Sequence, residues 1–366
     1  MISKYGRSFD YSTRMTGGQT MLVGIVTAMF TLPAPAVLAQ SQPQEQQAAP
    51  RFRSSIEIVS VAAVVRDRKG RFVTDLSQKD FEVVEAGQRR DILDFRAEVN
   101  GPVKMAVLVD VSGSMRMAQR TAEARRAADH IFANLAGGDQ AAVFSFDTML
   151  SEVQGFTSDR ERLQAALTDI EPPYGQTSLY DAIASTSRMV ADASKSGPRG
   201  LPQRSAVVVI TDGVDTRSRM TPSEASVVAS GIDVPVYIFA VVASVDDPRE
   251  TEDARRAAAA SNLQELARNT GGDLFISSSP AQASIAARQI ISELRHQYVL
   301  AFEASARTGW RPLEIRTRKD SHVVRARSGY GGGEPSSNSE HEAAGAAVSS
   351  GPATVRISPD VIRRRQ

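Results

Sequence analysis

The chain has 366 residues, more than one compact domain usually holds, and 42% of them are hydrophobic, enough for more than one core. Its 43 Lys and Arg stand against 42 Asp and Glu, and a formal charge of +1 argues against nucleic-acid binding driven by bulk electrostatics. There is no cysteine, which excludes thiolate metal sites, disulfides and cysteine nucleophiles, and the four histidines (His130, His296, His322, His341) form no ligand-like pair.

In chain order, residues 1–39 read as a secretory signal. Lys4, Arg7 and Arg14 precede the apolar run Met21 to Leu32, and Ala34-Pro-Ala-Val-Leu-Ala39 supplies small side chains for cleavage after Ala39. The run is short for a spanning helix; an uncleaved membrane anchor is the alternative, and either places the remainder outside the cytoplasm, secreted, periplasmic or at the cell surface. Residues 40–53 begin as a polar stretch rich in Gln and Pro and read as a linker.

Residues 54–100 carry a β pattern, with a β-branched run from Ile56 to Val65, a turn at Lys69-Gly70, Phe81 to Val84, a turn at Ala86-Gly87, and Ile92 to Phe95. Three short strands leave too much apolar face uncovered to be stable alone. The β pattern returns over 296–328, at 297–302, 313–315 and 322–325, and these strands are the natural partners of the early ones. The expected arrangement is a small discontinuous β-sandwich with a second unit inserted over 103–295. Tyr298 and Trp310 are expected in the sandwich core. Residues 329–366, opening on a Gly-rich run and continuing rich in Ser, Glu and Ala, read as a disordered tail.

Between the β segments, strands alternate with helices. Apolar runs at 105–110, 141–146, 205–210, 236–242 and 273–276 are separated by segments of helical period near 124–135, 159–169, 178–195, 263–268 and 281–295, and Thr221-Pro-Ser-Glu224 opens a further helix. This α/β alternation implies a doubly wound, mostly parallel sheet with helices on both faces.

Such sheets bind ligands beyond the carboxyl ends of their strands. Met105-Ala-Val-Leu-Val-Asp110-Val-Ser112-Gly-Ser114 ends an apolar strand in a carboxylate and two hydroxyls. Ile210-Thr-Asp212-Gly213 ends another in a carboxylate, and Tyr174-Gly-Gln-Thr177 places a hydroxyl in a glycine-containing loop that leads into a helix. Two carboxylates and three hydroxyls, with no nitrogen or sulfur, suit a hard, small divalent cation, above all Mg²⁺. They neutralise it only in part, leaving a position for an external anion. Plain structural roles compete: Ser112 could cap a helix beginning near Met115, and Asp212 could open a turn with Gly213. Asp181 suits a structural hydrogen-bonding role in the first turn of its helix, and Asp147 and Asp215 read as solvated loop acids.

Asp110-x-Ser112-x-Ser114, Thr177 in its Gly-x-Thr-x-x-x-Asp setting and Asp212-Gly213 together resemble the metal-ion-dependent adhesion site of von Willebrand factor A-type domains. The resemblance covers about 103–295, and the flanking β segments resemble a bacterial secreted subgroup. It implies Mg²⁺ or Mn²⁺ at the top of a helix-wrapped sheet, with Asp110, Ser112 and Ser114 bound directly or through water. Thr177 would ligate in the ligand-bound state and Asp212 through water. It also implies adhesion or complex assembly more often than catalysis, and on that reading the chain has no catalytic residue and no organic cofactor. The partner it implies is a protein presenting an Asp or Glu; nucleic acid is not expected, and membrane contact only through an uncleaved N-terminal anchor. Family precedent further suggests that helix 281–295 reports ligand binding to the sandwich. The alternatives are a structural module without metal and a metal-dependent hydrolase. An aspartyl phosphatase would want an acid where Ser112 stands, and neither a Gly-x-Ser-x-Gly elbow nor a phosphate loop is present.

Overall fold

A six-stranded sheet and a two-sheet β-sandwich share the chain. The computed structural model describes residues 57–97, 101–171, 174–195, 203–242 and 262–332, together with 252 and 256. The expected signal, linker and residues 333–366 of the expected tail lie outside the described residues.

The central sheet contains β5 (Val103–Asp110), β6 (Gln140–Phe146), β7 (Leu150–Thr157), β8 (Arg204–Thr211), β9 (Val236–Val241) and β10 (Leu274–Ser277), in the order β10-β9-β8-β5-β6-β7. All neighbouring pairs are parallel except β6 with β7. Strands buried on both faces need apolar side chains at every position, which is why Met105 to Val109 and Ala206 to Ile210 are continuous apolar runs. Alternate residues then serve different layers. Met105, Val107 and Val109 meet α1 (Arg120–Ala133), α2 (Arg160–Asp169) and α6 (Pro280–Arg295), while Ala106 and Leu108 meet α3 (Leu179–Ser194), α4 (Pro222–Gly231) and α5 (Asn262–Asn269). Several helix starts follow from their caps. Asp159 accepts the N–H groups of Glu161 and Arg162, Thr221 and Glu224 form a capping box ahead of Pro222, and Ser279 accepts from Gln282 ahead of Pro280.

The sandwich is assembled from both flanks. One sheet runs β13 (His322–Ala326), β1 (Ile58–Asp67), β11 (Gln297–Glu303), β4 (Ile92–Arg96), and the other β14 (Gly329–Gly332), β12 (Gly309–Thr317), β2 (Phe81–Glu85), β3 (Gln88–Arg90). Val59, Val61, Ala63 and Val65 of β1, Phe81 and Val83 of β2, Leu300 and Phe302 of β11, and Leu313 and Ile315 of β12 form one core between the sheets. The α/β unit is therefore inserted between two pieces of a discontinuous sandwich.

The junction is charged. Glu293 of α6 is fully buried and receives Arg66 of β1 at 2.8 Å and Arg325 of β13, which also pairs with Asp273 ahead of β10. At the other end of that helix's last turn, Arg295 pairs with Asp139 at 2.7 Å.

Three expectations need correction. Gly329–Gly332, assigned to the tail, forms β14, because its backbone pairs with the outer end of β12. Trp310 lies outside the sandwich core and is 39% exposed, whereas Tyr298 is buried as expected. The two-residue period of β12 turns Arg311, Leu313 and Ile315 inward and sends Trp310 to the opposite face. Finally, the chain after Ser112 enters a 3-10 turn, Gly113–Gln119, before α1 begins at Arg120.

Candidate metal centre

The strand order reverses at β5, which has β6 on one side and β8 on the other, so the crevice of this sheet opens where β5 and β8 end. Asp110 is the last residue of β5 and Thr211 the last of β8. One Asp110 carboxylate oxygen accepts the Ser112 N–H at 2.8 Å, and the other accepts the Thr211 hydroxyl at 2.6 Å. The 3-10 turn folds Ser114 back so that its hydroxyl lies 3.0 Å from that of Ser112. The Ser112 hydroxyl thus faces Ser114, and α1, starting at Arg120, is too far along the chain to be capped by it.

Backbone hydrogen bonds bring the Thr177 loop alongside. Tyr174 N–H donates to the Val111 carbonyl at 2.8 Å and Gly113 N–H to the Gly175 carbonyl at 2.9 Å. A side chain at Gly113 would place its Cβ 3.1 Å from that same carbonyl oxygen, which explains the glycine between the two serines. Buried Thr177 donates its N–H to the Thr216 hydroxyl at 3.0 Å, and its carbonyl accepts from Thr216 and Arg217 at 3.0 and 2.8 Å. The loop after β8 therefore clasps the Thr177 loop.

The neighbouring acids have structural work. Asp181 accepts the N–H groups of Arg219 and Met220 at 3.0 and 2.9 Å, as expected. Asp215 is not merely solvated: it accepts the Leu179 N–H at 2.8 Å and caps α3 from a separate loop. Asp147 accepts the Met149 N–H at 2.8 Å.

Asp212 has a partner that sequence reasoning missed. Its Oδ2 meets Arg120 Nη1 at 2.5 Å, and the same nitrogen donates to the Ser114 carbonyl at 3.2 Å. The turn role coexists with this pair, since Val214 N–H reaches Asp212 Oδ1 at 3.3 Å. Thr211 was also missed, although a hydroxyl ending an apolar strand beside Asp212 was a readable signal. Arg120 gave none, because its partner lies 92 residues away.

Burial pushes the Asp110 carboxyl up to about 6; the nearby Asp212 charge adds to the rise, and the bonds from Thr211 and Ser112 only partly oppose it. Such a carboxylate is short of positive charge. Among the described residues no group of three or more His, Cys, Asp or Glu side chains could hold a metal, so an ion here would rely on hydroxyl oxygens as well as carboxylates. The donor set fits a small hard cation for the same reason.

The family described as von Willebrand factor type A domain matches residues 105–214, the stretch that runs from β5 through Ser112, Ser114 and Thr177 to Asp212. Residues 105–214 of the inserted α/β unit are thus a von Willebrand factor type A segment. No curated protein sequence matches the chain. Among solved structures, an aerotolerance-related membrane protein from Bacteroides fragilis is similar at 20% identity, covering 52% of this chain and 98% of its own, with a TM-score of 0.39. A von Willebrand factor type A protein from Catenulispora acidiphila is similar at 13% identity over 76% of this chain and 75% of its own, with a TM-score of 0.42. Manganese-loaded TRAP protein from Plasmodium vivax is similar at 15% identity over 68% of this chain and 98% of its own, with a TM-score of 0.39.

Proposed function

We propose that the type A domain, taken as residues 103–295, is a protein-binding module that grips an acidic side chain of its partner through a divalent cation, Mg²⁺ or Mn²⁺. Asp110, Ser112, Ser114, Thr177 and Asp212 would hold the ion; the role would be adhesive or in complex assembly, and the signal-like N-terminal sequence supports a place outside the cytoplasm. The observation that carries this reading is the buried Asp110 carboxylate at the point where the strand order reverses, backed by two hydroxyls 3.0 Å apart. A structural module that never binds metal would keep that charge buried with no return.

The rim supports a protein partner. Tyr174 and Met149, at 77% and 73% the most exposed of the large apolar side chains described, lie on the loops around the site, with exposed Val214 two residues beyond Asp212. Arg116, Arg217 and Arg219 are exposed on the same loops and complement an acidic ligand. A carboxylate flanked by apolar side chains matches both features.

Calorimetric titration of the chelator-treated chain with Mg²⁺ tests the reading. Heat of binding is expected for the chain and its loss for Asp110→Ala; no heat from either protein would leave the metal-free structural module as the answer.

A further inference from the structure

We infer that Arg120 is a built-in cation seated on the metal site, which a divalent ion must displace from Asp212 in order to bind. The inference rests on the metal-binding reading above and concerns how that site is regulated. Three observations carry it.

First, one guanidinium nitrogen bridges Asp212 and the Ser114 carbonyl, that is, a carboxylate and a loop of the same donor set. The Asp212 side chain is only 3% exposed, and that of Arg120 only 23%. A divalent ion held by Asp212, directly or through one water, would stand within a few ångströms of the guanidinium. Like charges repel more strongly there than in bulk water. Second, Arg120 is the first residue of α1. The positive end of the helix dipole disfavours a cation in that turn, so the helix does not hold the side chain in place; Asp212 does. Third, Arg120 Nε is buried without a hydrogen-bond partner among the described residues. The guanidinium is thus incompletely satisfied in this seat and can leave it at modest cost.

The consequence is an exchange. Without metal, Arg120 compensates Asp212 and leaves Asp110 uncompensated. With metal, the ion serves both carboxylates and the guanidinium swings out, where it adds positive charge to the rim that meets the partner's carboxylate. Metal binding is thereby made weaker, and it is coupled to the appearance of an outward-facing arginine.

The test is a Mn²⁺ titration of the chelator-treated full chain, with free ion followed by electron paramagnetic resonance. Arg120→Gln is expected to bind Mn²⁺ about tenfold more tightly than the unsubstituted chain, Arg120→Lys to resemble it, and Arg120→Gln to give no advantage in an Asp212→Asn background. If Arg120→Gln perturbs the far-ultraviolet circular dichroism, Arg120→Met replaces it. Equal or weaker binding by the charge-removing variant would overturn this inference while leaving the metal site standing. No Mn²⁺ binding by any of the proteins would remove the metal site and this inference together.

Discussion

Substituting Asp110 by Asn tests the idea that the site is built around an unmet charge. Asn preserves the shape of the side chain and its Oδ1 can still accept the Ser112 N–H, so the change removes charge with little change in packing. In the folded chain the carboxyl is raised from 3.8 to about 6. Between those two values the folded state holds a proton that the unfolded state has released, so its stability falls as pH rises through this window and stays low above it. At about 1.4 kcal/mol per tenfold, the penalty from this group is roughly 3 kcal/mol above pH 6 and disappears below about pH 4. Chemical denaturation of both proteins in chelator, from pH 4 to 8, reads the difference and cancels the titration of all other groups. Asp110→Asn is expected to equal the unsubstituted chain near pH 4 and to exceed it by roughly 2–3 kcal/mol at pH 7.5. With Mg²⁺ at about a hundred times its Kd, the unsubstituted chain alone should gain about 2.7 kcal/mol. A variant less stable than its parent at pH 7.5, with no pH dependence in the difference, would show that Asp110 is compensated by the fold itself.

The remaining predictions concern the frame that holds the site. Glu293→Ala removes the buried carboxylate shared by Arg66 and Arg325, leaving Arg325 with Asp273 alone, and should cost about 3 kcal/mol, seen as a lower denaturant midpoint with the α/β unit and sandwich unfolding out of step. A shift of α6 on ligand binding would have to break these same pairs, so Glu293→Ala should also alter partner affinity if that helix moves. Gly272→Ala would set a Cβ 2.0 Å from the Val236 carbonyl oxygen, a backbone atom that cannot yield, and should cost about 3 kcal/mol or more and lower soluble yield.

Much of this molecule was legible because its local rules agree with its fold. Asp159 before α2, the Thr221 and Glu224 box before α4 and the apolar runs of β5 and β8 each satisfy a nearest-neighbour requirement, so a single sequence displays them. What escaped depends on partners distant in the chain. The inner face of β12 is chosen by the sheet opposite it, and that choice put Arg311 inside and Trp310 outside. Strand β14 exists because β12 offers it a free edge. Asp215 became a helix cap only when two loops folded together.

The sequence by itself determined the alternation of strands and helices, the three loops carrying oxygen donors and the pairing of the early with the late β segments, because periodicity and turn chemistry are written residue by residue. Only the tertiary structure decided the charge balance at the site. Whether Asp110 is dry, and whether Asp212 already holds a cation, depends on burial and on an arginine from another element, and Coulomb interactions follow distance in space, not position along the chain.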